Sequence, residues 1–301
     1  MNKLEQIKAM KKNRSIQEML DDAQDILLNP IAMFDMYYSL IAYTEIVTDD
    51  PIWNELISTG TFSMETQKFF ADAYFTLNVS SADRITALKS DQLKYDRVLA
   101  YAFNRHHIKV ANLVMVACST PFTADDYIAF NAFAEKITAR IRNDDHYTKY
   151  GIEYHNDLIG KILDGYIKDT RVYAAHIQIL YDGFDGFLYL AVARAGHGAA
   201  QHDKLVRTRA LLMERYKSFK FAIYSDYIVM IISSKLDSFG IRRIFGKYDD
   251  FFERNDIYVG VSSSFESMYD MRKYYDEAVS ALMGKKEDNG DNRILLYDNC
   301  V

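Results

Sequence analysis

The sharpest chemical suggestion in the sequence is an arginine followed at even spacing by two aromatic rings. A strand is predicted over Arg97–Asn104, and strand alternation puts Arg97, Leu99, Tyr101 and Phe103 on one face. A guanidinium grips a carboxylate through paired N–H bonds, and rings beside it offer an apolar bed. Together they suit an anionic small molecule with a ring or apolar body. Tyr43, Trp53 and Tyr74 come from neighbouring predicted elements. The candidate ligand-binding set is therefore Tyr43, Trp53, Tyr74, Arg97, Tyr101 and Phe103, with Arg84 and Arg105 as further arginines close by. The plainer alternative makes the aromatics ordinary core, Trp53 a packing anchor and Arg97 a solvent-exposed strand end.

Other chemistries find little footing. His106 and His107 fall in a predicted turn, His146 and His155 lie around the middle of the chain, and His197 and His202 flank a glycine-rich connection. None has the i, i+4 helical spacing or the cysteine partner that a metal site needs, so no metal is expected. No nucleophile elbow or phosphate-binding loop motif occurs, so neither a catalytic residue nor a cofactor is assigned. Cys118 and Cys300 stand far apart, which fits a reducing, cytoplasmic setting.

The net charge of −6 gives no basic footprint for nucleic acid. The start, MNKLEQIKAMKKNR, lacks an apolar core and does not read as a signal peptide. No stretch approaches the ~18 consecutive apolar residues of a membrane span. Three prolines and 13 glycines in 301 residues leave little room for flexible linkers, and the length suits two domains.

The elements that must position the candidate site are signalled by caps and breaks. Ser15 and Glu18 have capping-box spacing before a helix that ends at Asn29-Pro30. Two short strands, Ile31–Phe34 and Ser39–Thr44, flank a turn at Asp35–Tyr38. Asp49-Asp50-Pro51 breaks the chain and starts a helix that Gly60 ends. A helix over Met64–Leu77 follows, then strands at Arg84–Leu88, Arg97–Asn104 and Ile108–Cys118. Thr123 and Asp126 open a helix through Ile141.

Asn143–Tyr150 is polar and reads as a frayed junction before a helix over Ile152–Ile167. A helix over Val172–Leu180 and a turn at Asp182–Gly186 are predicted next. Then come a strand Phe187–Arg194, a helix His202–Tyr216 and a hairpin of Phe219–Tyr224 with Tyr227–Ser233. A helix over Phe239–Glu253 precedes the strand IYVGV at Ile257. Ser263 and Glu266 suggest a capping box for a long helix to Leu282, with Gly284 as its stop, and the last strand is Ile294–Tyr297. The apolar stripes over 123–141 and 152–167 are the surfaces on which a homodimer is expected, packing within the chain being the alternative.

Several stretches resemble a known family. LDGYIKDTRVYAAHIQIL with GFLYLAVARA, and VGVSSSFESMYDMRKYYDEAVSAL with ILLYDN, are similar to the start and end of the GGDEF-like domain of PucR/CdaR-type bacterial transcription regulators. NPIAMFDMYYSLIAYT, DPIWNELISTG and PFTADDYIAFNAFAEKI are similar to the sensor domains in front of it. The resemblance implies an α+β chain: a PAS/GAF-like antiparallel sheet with helices over 1–142, a helical linker over 143–182, and a degenerate GGDEF-like, ferredoxin-like palm over 183–301. It implies a ligand-sensing, dimerising part of a regulator whose effector is a small molecule; the arginine and rings above point to a carboxylate or aromatic metabolite. Members contact DNA through a C-terminal helix-turn-helix that would begin where this chain stops, near Tyr297–Val301.

The resemblance also bears on catalysis. A working diguanylate cyclase needs two glycines in its hairpin and acids to hold metal ions. Here Tyr224 and Ser225 stand at the glycine positions, Tyr227 replaces the second acid, and Asp226 alone remains. The expectation is no enzyme. The competing readings are a cyclase-related enzyme with residual nucleotide chemistry and a ligand-independent dimerisation scaffold.

Overall fold

The computed structural model describes residues 2–11, 14–76, 85–167, 176–177, 180–181, 184–196, 202–235, 238–246, 249–284 and 293–299. The fold is α+β, and the chain divides into two compact units. One is Met1–Gly151 with Asp169–Ile179, the other Ile152–Lys168 with Leu180–Val301. Within 143–182, the described residues up to Gly151 fall in the first unit and those from Ile152 to Ile167 in the second. Among the described residues no helix is long and apolar enough to cross a membrane.

The first unit opens with α1 (Lys3–Ala9) and α2 (Ile16–Leu27), each started by a capping box, Asn2 with Glu5 and Ser15 with Glu18. Then come β1 (Ile31–Asp35), β2 (Leu40–Tyr43), α3 (Pro51–Thr59), α4 (Met64–Thr76), β3 (Ile85–Leu88), β4 (Arg97–Phe103), β5 (Lys109–Val116) and α5 (Ala124–Arg142). The five strands form one antiparallel sheet in the order β2-β1-β5-β4-β3.

Register decides which side chains meet. Arg97 lies opposite Val116, Leu99 opposite Val114, and Ala32 also opposite Val114, so these residues share a face with Phe34. Trp53 and Leu56 of α3 and Phe62 complete an apolar cluster there. The opposite face carries Met33, Val98, Ala100, Ala102, Leu113 and Met115, all buried. Its small residues on β4 let α5 lie along that strand.

The edge strand β2 is held by one side chain. The Gln17 amide donates to the Tyr43 carbonyl at 2.7 Å and accepts the Tyr43 N–H at 3.3 Å. Between β4 and β5, Asn104 Oδ1 accepts the His106 and Ile108 amides at 2.9 and 3.0 Å and closes the turn.

The polar stretch over 143–150 is not frayed. It begins α6 (Asp145–Leu163), which the sequence placed from Ile152 to Ile167. Tertiary contacts override its poor periodicity. Thr148 is buried, and the Tyr150 hydroxyl accepts the Met36 amide. At Gly151 a Cβ would stand 2.7 Å from Asn104 Nδ2, so the glycine allows α6 to lie close. The apolar stripes expected to bind a second copy are spent at home. Phe130, Phe133 and Ile137 of α5, and Leu158, Ile159 and Leu163 of α6, are buried within the chain.

In the second unit, β6 (Phe187–Ala195), α7 (His202–Arg215), β7 (Lys220–Tyr224), β8 (Tyr227–Ser234), α8 (Ser238–Gly246), α9 (Asp249–Arg254), β9 (Ile257–Val261), α10 (Met271–Met283) and β10 (Ile294–Leu296) follow in order. The sheet runs β10-β9-β6-β8-β7, antiparallel except that β10 is parallel to β9. Its β6-to-β9 core is the βαββαβ arrangement of ferredoxin-like folds. The single helix expected over 239–253 is two, with Gly246 closing the first. The predicted helix over 172–180 lies largely outside the described residues; in the predicted turn over 182–186, the Phe184 amide donates to the Tyr181 carbonyl and Gly186 takes φ +96°.

The predicted capping box at Ser263 and Glu266 does not form. Phe265 is tied to Leu188 by two backbone bonds, which hold this segment extended. Ser263 instead donates through its amide and hydroxyl to Glu277 Oε2 within α10. The helix therefore starts at Met271, after a 3-10 turn over Met268–Asp270. It rests directly on the strand: a Cβ at Gly260 would lie 2.1 Å from the Ala278 carbonyl. At the edge strand β7, Asn156 Oδ1 of α6 accepts the Ile223 amide at 2.9 Å and Arg209 Nη1 at 3.2 Å.

Candidate functional site

The candidate site lies on the aromatic face of the first sheet, under α3. Pro51 starts that helix with its fixed φ and no amide to satisfy. Asp50 caps it, accepting the Trp53 amide on Oδ1 at 2.7 Å, and Gly60 ends it at φ +74°. These ends place Ile52, Trp53 and Leu56 over the sheet.

Phe34, Ile52, Trp53, Leu56, Phe62, Phe70, Arg97, Leu99, Val114 and Val116 enclose a cavity of about 10 Å³. That is room for about one water. Four aromatic walls come from β1, α3, α4 and the loop between the two helices. Phe34 and Phe62 meet edge to face at 5.2 Å, and Phe62 and Phe70 lie 5.3 Å apart.

Among the described residues Arg97 is the only charged wall. Its side chain is 2% exposed, so the expectation of a solvated strand end fails. Nη2 donates to both carboxylate oxygens of Asp50 at 2.8 Å, and Nη1 donates to the Tyr95 carbonyl at 2.9 Å. A guanidinium has five N–H groups. Three are used here, and the others have no partner among the described residues. Burial pulls the Arg97 pKa below its ordinary value, and the Asp50 carboxylate pushes it back up. Asp50 is itself fully buried.

The six predicted residues do not form one group. Trp53 and Arg97 meet at the cavity. Tyr43 packs against the same apolar cluster. Tyr101 lies farther along β4, where the Lys109 ammonium stands 3.4 Å from its ring centre. Phe103 lies beyond a register shift after Ala102, and its amide donates to Thr138 of α5. The Tyr74 side chain and Arg84 lie outside the described residues. Arg105 is exposed and pairs with Asp145 at 3.0 Å, away from the cavity.

Asp50, Phe34, Phe62 and Phe70 were not anticipated as site residues. Asp50 before Pro51 carries a legible cap signal. Nothing in the spacing ties it to Arg97, 47 positions away. Beside the cavity on β3, Thr86 pairs with Leu99 and shares its face. Its hydroxyl is buried without a hydrogen-bond partner among the described residues.

In the second unit the β7–β8 turn is filled by rings. Tyr224 and Tyr227 both pack edge-on against Tyr275 of α10, at 5.3 and 6.4 Å. The Tyr224 hydroxyl donates to Asp164 at 2.5 Å, and Ser225 takes φ +51°. Burial pushes the Tyr275 hydroxyl up to about 12, with Tyr227 and Tyr224 adding to the shift.

No family model matches the chain, and no curated protein matches it. Among solved structures, the E. coli DhaR(N)–DhaL complex is similar at 12% identity and a TM-score of 0.31, over 72% of this chain and 84% of that one. PelD from Pseudomonas aeruginosa is similar at 10% identity and a TM-score of 0.22, over 86% of this chain and 88% of that one.

Proposed function

We infer that the chain senses a small organic carboxylate in its first unit, as the effector-binding part of a cytoplasmic transcription regulator of the PucR/CdaR type. One observation carries the reading: a fully buried guanidinium with unspent N–H groups borders an aromatic cavity. Burying a charge is costly unless it is paired and hydrogen-bonded. A protein that needed Arg97 only for packing would do as well with an apolar side chain. The unspent donors and the rings around them are the complement of a carboxylate on an apolar body. An antiparallel sheet with helices packed on it agrees with the PAS/GAF-like sensor that the sequence resembles. In the second unit, Tyr224, Ser225 and Tyr227 stand where the resemblance puts two glycines and an acid of a working cyclase, which favours a relay role over catalysis.

A thermal-shift screen against carboxylates, purines and amino acids tests the reading, together with mass spectrometry of any small molecule that co-purifies. At a concentration 100 times its Kd, a ligand adds about 2.7 kcal/mol. For a chain of this size that is a rise of roughly 5–10 °C. A carboxylate is expected among the hits. A screen with no hit and no co-purifying compound overturns the sensor. Formation of a cyclic dinucleotide from GTP and a divalent metal overturns the non-catalytic assignment.

A further inference from the structure

Asp50 performs two tasks with one carboxylate. It caps α3 through the Trp53 amide at 2.7 Å, and it holds Arg97 Nη2 through both oxygens at 2.8 Å. The guanidinium and the first-turn amide thus make an anion site, in which positive charge and a helix N-terminus converge on one point. The anion that fills it belongs to the chain.

Two further features bear on that anion. The cavity beside it, about 10 Å³, is too small for any metabolite, so a ligand enters only if a wall moves. Asp50 ends an irregular segment over 45–50, which leaves the sheet after Thr44, itself buried and bonded to Ile31, and in which Val47 stands fully in solvent. Asp50 can leave the site without the breaking of a strand. Asp49 next to it already faces outward, held by Lys94 and Tyr95 at 2.5 and 2.6 Å.

We propose that Asp50 is a built-in stand-in for the ligand's carboxylate. A ligand carboxylate takes its place on Arg97 and the Trp53 amide, and Asp50 moves out with the 45–50 segment, Thr44 staying bonded to Ile31. This rests on the sensing reading above and adds the switch to it. The exchange keeps Arg97 paired in both states, so its desolvation cost is offset throughout. Ligands are then selected by their apolar body, which meets Trp53, Phe34, Phe62 and Phe70, and by any polar group that reaches Thr86. The signal is the release of Asp50 and of the first turn of α3.

Trp53 is the chain's only tryptophan and sits in that first turn, so its emission reports the exchange. The full chain is titrated with benzoate, phenylacetate and the uncharged benzamide. Hydrogen exchange of the 44–56 amides is read by mass spectrometry. D50N keeps an oxygen for the Trp53 amide but removes the competing charge, and D50S supplies a second neutral cap should D50N fold poorly. Both acids are expected to bind wild type and speed exchange over 45–50. D50N or D50S should bind them about tenfold tighter or more, R97Q should not bind them, and benzamide should bind none of the proteins. Equal affinity of wild type and D50N overturns the stand-in, as does binding that survives R97Q. If neither acid binds wild type or the Asp50 variants, the exchange is wrong, and the sensing reading is then decided by the metabolite screen alone.

Discussion

Substituting Arg97→Met tests how much of the first unit rests on the ion pair under α3. Methionine keeps the apolar stem and removes the charge. Asp50 would then be a fully buried carboxylate whose only bond among the described residues is to the Trp53 amide. Removing one partner of a buried pair costs roughly 3–5 kcal/mol, because the other charge is left uncompensated. Domains have only about 5–15 kcal/mol in total. At about 2–4 °C per kcal/mol, the melting temperature should fall by roughly 6–20 °C. Urea unfolding followed through Trp53 emission reads the loss in this unit specifically. D50N/R97M removes both charges, and its cost should be well below the sum of the single variants, with a coupling of about 2 kcal/mol or more. A loss under about 1 kcal/mol for R97M, or strictly additive variants, would refute the reasoning that the pair is a desolvated unit.

Three further outcomes follow from packing and protonation. His155 is fully buried and pushed down to about 3 by burial, with Lys220 adding to the shift, against an ordinary 6.5. It stays neutral in the fold while the unfolded chain takes up the proton. Stability is therefore full above pH 6.5 and falls by about 1.4 kcal/mol per unit toward pH 3; H155L should flatten that slope in urea titrations at pH 5 to 7. G260A forces a methyl against the Ala278 carbonyl and should cost about 3 kcal/mol or more in denaturant unfolding, with the second unit's near-ultraviolet dichroism lost first. N156A strips Arg209 and the Ile223 amide of a shared acceptor; about 1–3 kcal/mol should go, and exchange at Ile223 should quicken.

Local structure was legible wherever a side chain marks an end. Ser15, Asp50-Pro51, Gly60 and Thr123 all cap or close the helices they announce. The hairpin across Ser225-Asp226 was readable for the same reason. What failed depended on partners distant in sequence. The polar residues 145–150 are helical because β4, β5 and the β1–β2 turn hold them. Ser263 forgoes its cap because Phe265 is pinned to Leu188. Strand order was not legible either: β1 pairs with β5, Ile31 opposite Met115, across 84 positions with no local mark. Of the site, the sequence singled out Trp53 and Arg97. It missed that the arginine's carboxylate partner is already inside the chain, since neither spacing nor composition links residue 50 to residue 97.

The carboxamides of Gln17 and Asn156 have a consequence for how copies of this chain can meet. An outer strand normally exposes a ladder of N–H and C=O groups that invites a neighbour's strand. At Tyr43 both groups are taken by Gln17, and at Ile223 the N–H is taken by Asn156. A foreign strand arriving at β2 or β7 finds those rungs occupied. Adding a strand from that side therefore means first displacing a carboxamide. Replacing either amide with an apolar side chain would reopen the rung, and slow aggregation on storage would be the sign that it had.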